Sequence, residues 1–214
     1  MSASHLRTSC AHNQQMLARV RPPDWRELAR AERYDLVAVG GGTAGMVASA
    51  GAAILGARSA MIERSLMGGD CLVTGCVPSK ALIRAAHAAH AARKAGRFGI
   101  RTTVEVDFEQ VMDRLRKVRA EVSHEDSADS FAGRGVQVLF GQATFVGPDA
   151  LDLDGRLVRF KRAVIATGAR PLVPPIPGID DVDVLTSDSV FELEANPGHL
   201  LVLGGGPGVR SPRR

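Results

Sequence analysis

Two cysteines with four residues between them, Cys71 and Cys76, stand in the run Gly68-Gly69-Asp70-Cys71-Leu72-Val73-Thr74-Gly75-Cys76-Val77-Pro78-Ser79-Lys80. The spacing predicts a helix starting near Asp70, which carries residues four or five apart onto neighbouring faces and brings the two sulfurs to bonding distance. The same periodicity sets Lys80 on the face of Cys76, where an ammonium favours thiolate over thiol. These are the requirements of a dithiol that closes and opens with electron pairs. A structural pair and half of a zinc site are the competing uses. Zinc asks for four ligands, and no second Cys or His pair stands at a matching spacing.

The elements that would position this pair begin upstream. The apolar run Tyr34-Asp35-Leu36-Val37-Ala38-Val39 ends in Gly40-Gly41-Gly42-Thr43-Ala44-Gly45, a small-residue helix is predicted from about Thr43 to Leu55, and Ala60–Glu63 reads as the next strand. A strand, a glycine turn, a helix and a second strand open a parallel sheet. They also supply the context without which Gly-x-Gly-x-x-Gly carries little weight. Gly40 permits the tight turn, Gly42 lets the backbone approach a pyrophosphate, and Gly45 lets helix and strand pack closely. The phosphates would lie at the helix N-terminus beside Thr43 and Ala44. Glu63 is placed to accept from ribose hydroxyls, and a carboxylate there disfavours a 2′-phosphate, which points to FAD or NAD. A glycine turn with no ligand is the plain alternative. The neighbouring dithiol argues for FAD, since a flavin can accept a hydride and pass electrons to sulfur.

Composition fits a soluble globular chain: of 214 residues, 45% are hydrophobic and 23% charged. The aromatic share is 4%, too low for stacked nucleic-acid platforms. The net charge of +4 leans on Arg210, Arg213 and Arg214 at the end of the chain and gives no sign of a nucleic-acid partner. Three cysteines, two of them in the motif, do not make a stapled secreted domain, and Cys10 is expected as a free thiol in a mobile N-terminus. No early segment has the apolar core of a signal peptide and nothing approaches a membrane-spanning length, so a cytoplasmic location without a membrane partner is expected.

Residues 1–33 read as an N-terminal extension, with weak helices over Leu6–Val20 and Trp25–Arg33 separated by Pro22-Pro23. Beyond the cysteines, helices are predicted to about Lys94 and over Phe108–Phe131. Strands follow at Val136–Phe140 and Ala143–Val146, with a hairpin of Ala150–Leu153 and Arg156–Phe160 turning at Asp154-Gly155. Ala163–Ala166 reads as a separate buried strand, and His199–Leu203 as a last apolar strand. His87 and His90 fall on an exposed helix face rather than a metal site, and His124 on a helix surface.

Taken together, Gly40 to Gly45, Glu63, Gly68 to Lys80 and Ala166-Thr167-Gly168 resemble the class I pyridine nucleotide–disulfide oxidoreductases, which include dihydrolipoamide dehydrogenase, glutathione reductase and mercuric reductase. Pro22-Pro23-Asp24-Trp25 and Val122-Ser123-His124-Glu125-Asp126-Ser127 look most like the mercuric-reductase-like branch. The resemblance implies an α/β fold: a FAD/NAD(P)-binding Rossmann-like domain with a parallel sheet, helices and a small antiparallel β-meander. By the same resemblance Cys71 is the interchange thiol that meets a disulfide or metal-ion substrate. Cys76 is the charge-transfer thiolate against the flavin, and Lys80 lies near the flavin N5. Gly40, Gly42, Thr43, Ala44, Gly45, Glu63, Gly69 and Asp70 line FAD, Ala143 offers backbone hydrogen bonds to adenine, and Thr167 and Gly168 sit near the cofactor. Where family members commonly have Asn two residues after the first cysteine, this chain has Val73.

The resemblance further implies NAD(P)H as co-substrate, a disulfide or Hg(II) as electron acceptor, and a homodimer whose partner subunit supplies a His–Glu pair. Residues 34–197 are then the first segment of the FAD-binding domain. Residues 198–214 are the start of an NAD(P)-binding domain, since Leu200–Pro207 resembles its opening strand and turn. Val209 and Pro212 depart from that pattern, and the expectation is a frameshift or early stop that added an off-pattern basic tail. Two uses are compatible with such a chain: an FAD-dependent oxidoreductase, and a truncated FAD-binding fragment without turnover. A dithiol relay without flavin would leave the dinucleotide turn idle.

Overall fold

The computed structural model describes residues 6–27 and 31–204. Along the chain lie α1 (Ala11–Val20), β1 (Tyr34–Val39), α2 (Thr43–Ile54), β2 (Ser59–Glu63), α3 (Gly69–Val73), α4 (Cys76–Arg93), α5 (Phe108–Val122) and α6 (Ala128–Gly133). They are followed by β3 (Val136–Phe140), β4 (Ala143–Gly147), β5 (Ala150–Leu153) and β6 (Arg156–Ile165). The strand order is β3-β2-β1-β6-β5-β4. The first four are parallel, with Val37 of β1 opposite Ala60 of β2 and Ala163 of β6. The last pairings, β6 with β5 and β5 with β4, are antiparallel.

β6 belongs to both parts. Its first residues pair with β5 through Arg156–Arg159, and from Phe160 onward it pairs with β1. Only Gly141 and Gln142 join β3 to β4, which stand at opposite ends of the strand order. That link reaches roughly 10 Å, whereas a flat sheet would part the two strands by about 24 Å. The meander therefore folds back over one face of the parallel sheet. Val37, Ala60, Ile62 and Leu139 meet Leu151, Leu153, Val158 and Phe160 there in one buried cluster. The alternate side chains, Met61, Val136 and Val138, face the other way and pack with Met16 and Val20 of α1, Met46 of α2 and Phe131 of α6. A strand's period of two splits its residues between two covered faces, which is why β2 is buried along its whole length. A third cluster joins Ala81 of α4 and Met112 and Leu115 of α5 to Phe191 near the C-terminal end. This is an α/β domain of Rossmann-like build with a β-meander laid across it.

Several elements differ from their sequence reading. α1 begins at Ala11, after a turn in which the Cys10 amide donates to the Arg7 carbonyl, and half-buried Cys10 is its N-cap residue rather than part of a mobile end. No helix covers Trp25–Glu27 or Ala31–Arg33; the remaining residues of that expected helix lie outside the described ones. Trp25 is instead tied to β3: its indole N–H donates to the Val138 carbonyl at 3.1 Å and its ring meets Phe140 edge-on. The helix expected over Phe108–Phe131 is two helices. Asp107 caps α5 by accepting from the Gln110 amide, and Ser127 caps α6 by accepting from the Ser130 amide.

The hairpin strand and Ala163–Ala166 are one strand, β6, up to Ile165, and its end is not buried, since Ile165 is 70% exposed. His199–Leu203 forms no strand, and Leu201 lies open to solvent. The glycines and basic residues that follow Gly204 lie outside the described residues. His87 and His90 are exposed on α4, as expected, and His124 is exposed in the turn after α5 rather than on a helix. Among the described residues no helix is long and apolar enough to cross a membrane.

Candidate functional site

The glycine turn lies at the carboxyl ends of the parallel strands, where ligands of open α/β sheets bind. Gly40 has φ +113, a conformation L side chains rarely adopt, and a Cβ there would stand 2.2 Å from the Ala166 carbonyl oxygen. A Cβ on Gly45 would stand 1.8 Å from the Gly40 carbonyl oxygen. Both positions exclude any side chain by backbone contact alone. Gly42 is different: a Cβ there would find only the Gly69 Cα, at 3.7 Å. That small gap lies where α2 begins, and no side chain caps the helix and no acidic residue occupies its first turn. Uncapped N–H groups and the helix dipole make this cradle suited to phosphate oxygens. Exposed Thr43 and Ala44 form the first turn of α2.

Glu63 closes β2 and is buried. Its Oε2 accepts from the Gly41 amide and its Oε1 from the Ser65 amide, each at 2.6 Å. The carboxylate thus holds the turn in place, and each oxygen keeps a lone pair for a further donor. Thr167 and Gly168 are exposed immediately past β6, where the Ala166 amide donates to the Val39 carbonyl at 2.8 Å. Ala143 opens β4, two residues after Gly141, whose amide donates to the Glu63 carbonyl at 3.0 Å. The sequence-derived cofactor residues are therefore gathered at one end of the sheet.

The cysteine motif is fastened to the same turn. The Gly68 amide donates to the Gly41 carbonyl at 2.9 Å, and Gly69 sits against Gly42. The motif is not one helix. α3 ends at Val73 and α4 starts at Cys76, with Thr74 and Gly75 breaking the helix between them. Gly75 is required at that break, because a Cβ would lie 2.7 Å from the Asp70 carbonyl oxygen. Cys76 and Thr43 lie close enough to Cys71 to affect its ionisation. Cys71 is half-buried, while Cys76 and, one turn further along α4, Lys80 are exposed. Asp70, beside the pair on α3, is exposed.

Burial pushes the Cys71 thiol above its ordinary range, and the neighbouring Cys76 thiol and Asp126 carboxyl act in the same direction, against the Thr43 hydroxyl. Asp126, in the short link between α5 and α6, was not singled out as a site residue by sequence. Its own carboxyl is raised by burial and by Glu125, with Arg134 opposing. The Asp126→Asn chain removes a negative charge that acts on Cys71, so its thiolate should form at lower pH. Measuring Cys71 alkylation by iodoacetamide across pH, read by peptide mass, should show the profile displaced downward. An unmoved profile contradicts this electrostatic coupling.

A parallel sheet with a phosphate-suited glycine turn and a paired dithiol at its carboxyl end defines a dinucleotide-type α/β domain. The family model described as pyridine nucleotide-disulphide oxidoreductase matches residues 34–208, and the chain belongs to that family. It is 40% identical over 180 residues to a mercuric reductase of Streptomyces lividans, covering 81% of this chain and 38% of that protein. It is 37% identical over 191 residues to a dihydrolipoyl dehydrogenase of Bacillus subtilis (strain 168), covering 82% of this chain and 40% of that protein. Among solved structures, the HOCl-induced flavoprotein disulfide reductase RclA from Escherichia coli matches with a TM-score of 0.63 and 30% identity, over 78% of this chain and 35% of that one. The chain spans well under half the length of each.

Proposed function

We propose that this chain supplies the FAD seat and the redox dithiol of an oxidoreductase that passes electrons from NAD(P)H through FAD to Cys71–Cys76 and on to a disulfide or Hg(II). The observation that carries this reading is the fastening of the cysteine motif to the dinucleotide turn, where the Gly68 amide donates to the Gly41 carbonyl at 2.9 Å and Gly69 sits against Gly42. Gly40, Gly42, Thr43, Ala44 and Gly45 hold the pyrophosphate, and Glu63 accepts from a ribose hydroxyl while its other bonds keep the turn rigid. Gly69 and Asp70 face the same gap, Ala143 takes the adenine edge, and Thr167 and Gly168 flank the cofactor. FAD, when bound, accepts a hydride and hands on an electron pair.

The Cys71–Cys76 disulfide takes up two electrons and two protons and becomes two thiols. The Cys71 thiolate then attacks a substrate disulfide, forming a mixed disulfide and releasing one substrate thiolate. The Cys76 thiolate attacks the Cys71 sulfur, re-forming the internal bond and releasing the second. Lys80 lies one turn from Cys76 and holds negative charge near the reacting sulfur. The full-length homodimer and its acid/base pair belong to this proposal on family likeness alone.

A second reading, flavin binding without turnover by this chain on its own, is favoured by the exposed Ile165, Leu200, Leu201 and Leu203, apolar surface of a kind that partners ordinarily cover. The visible spectrum of the purified chain separates the two. A flavin band that bleaches with NAD(P)H supports turnover, and one that bleaches only with dithionite supports the second reading. A chain that takes up no flavin from solution overturns both.

A further inference from the structure

Arg119 of α5 is fully buried, and its guanidinium is spent on three distant parts of the chain. One terminal nitrogen, Nη1, donates to the Val73 carbonyl at 2.8 Å. The other, Nη2, donates to Asn13 Oδ1 at 2.7 Å and to Glu192 Oε1 at 2.6 Å. Asn13, itself fully buried in α1, donates through Nδ2 to Glu192 Oε2 at 3.2 Å and to the Arg7 carbonyl at 3.0 Å. The Arg7 amide completes the set by donating to the same Glu192 oxygen at 3.2 Å.

Val73 is the last residue of α3 and lies between the two cysteines. The end of a helix leaves carbonyls without intrahelical partners, and here the buried guanidinium takes one of them. A buried arginine–carboxylate pair is a weak source of net stability compared with apolar packing, so its better use is to specify geometry. The geometry specified here is that of the Thr74–Gly75 break between the helices that carry Cys71 and Cys76.

We propose that Arg119, with Glu192 and Asn13, is a positioning cluster that fixes the Cys71–Cys76 loop from behind and so sets how readily the disulfide closes. It rests on the reading that the two cysteines form a redox pair. With Val73 held, the sulfurs face each other at a high effective concentration. With Val73 released, the end of α3 moves, that concentration falls, and the balance shifts toward the open dithiol.

The test is the equilibrium of the whole chain with mixtures of reduced and oxidised glutathione, with the linked Cys71–Cys76 peptide quantified by alkylation and mass spectrometry. Arg119→Lys keeps the charge but loses the fork that reaches Val73, Asn13 and Glu192 together. It should favour the dithiol by about tenfold. Asn13→Ala, which leaves the Val73 bond in place, should move the balance in the same direction by less, and it answers the question where the lysine variant does not fold. Leu115→Ala, a truncation of a fully buried leucine on the same helix, should lower the melting temperature and leave the equilibrium unchanged.

The proposal is overturned where the cluster variants lower the melting temperature but keep the wild-type equilibrium, or where Leu115→Ala shifts it equally. A wild-type chain in which Cys71 and Cys76 never link under any glutathione mixture overturns the redox-pair reading itself, and the positioning role with it.

Discussion

Replacing Gly42 with alanine should leave the fold standing and lower flavin affinity at least tenfold, while the same change at Gly45 should remove both. The two glycines lie in one turn and differ in what a methyl group would meet. At Gly45 it would press 1.8 Å from a backbone oxygen of Gly40, with no flexible side chain to give way. Such overpacking of helix against strand costs about 3 kcal/mol or more, a large share of a domain's stability. At Gly42 the backbone has φ -82 and ψ -175, angles open to any residue. The methyl would enter the gap toward Gly69 where the pyrophosphate is proposed to lie. Loss of a glycine N-cap costs the fold no more than about 1 kcal/mol, whereas a tenfold loss of affinity corresponds to about 1.4 kcal/mol of binding. Thermal melting without flavin and a fluorescence titration with FAD separate the two effects. Equal flavin affinity for Gly42→Ala and wild type would remove the phosphate from this turn.

A Cys76→Ser chain, reduced and then offered an aromatic disulfide such as 5,5′-dithiobis(2-nitrobenzoate), should stop at a mixed disulfide on Cys71. The wild-type chain should expel the second thiolate and close Cys71 onto Cys76. The rate of that second release should fall by at least about a thousandfold, because a well-placed intramolecular nucleophile acts at effective molarities of about 10⁵ M or higher. The trapped adduct is read by peptide mass, which also separates Cys71 from Cys10. Release of the second thiolate at an undiminished rate would show that Cys76 is not the resolving sulfur.

The glycine turn and the cysteine spacing were legible because each is written in neighbouring residues. An apolar strand, Gly40, Gly42 and Gly45 within six positions, and a helix of small residues leave few alternatives, and α2 and β2 fall within a residue of their expected limits. The break inside the cysteine motif was not legible. Gly75 in a helical pattern costs only about 1 kcal/mol, yet here its backbone leaves the helical region, at φ -133 and ψ -110, between α3 and α4. The sequence splits β6 in two because Lys161 and Arg162 separate two apolar stretches. In the fold the strand runs on, and Lys161 pairs with Asp35 at the start of β1, with 2.6 Å between them.

Arg119 and Asp126 were invisible for a related reason. On an amphipathic helix that also carries Arg114, Arg116 and Lys117 an arginine reads as solvated, and the partners of Arg119 lie at positions 13, 73 and 192. Asp126 gains its meaning only from its charge acting on Cys71, which is far from it in sequence. His199–Leu203 shows the opposite failure, since its composition suits a strand but a strand also needs a neighbour to pair with.

The most direct test of a flavin seat joined to a redox dithiol is an anaerobic dithionite titration of the FAD-loaded chain, followed by its visible spectrum and by thiol mapping. The expected result is uptake of two electron pairs per flavin, one by the cofactor and one by the Cys71–Cys76 disulfide, with both thiols appearing together and the second pair lost in Cys71→Ser. Uptake of a single pair, with Cys71 and Cys76 unlinked before reduction, would contradict it.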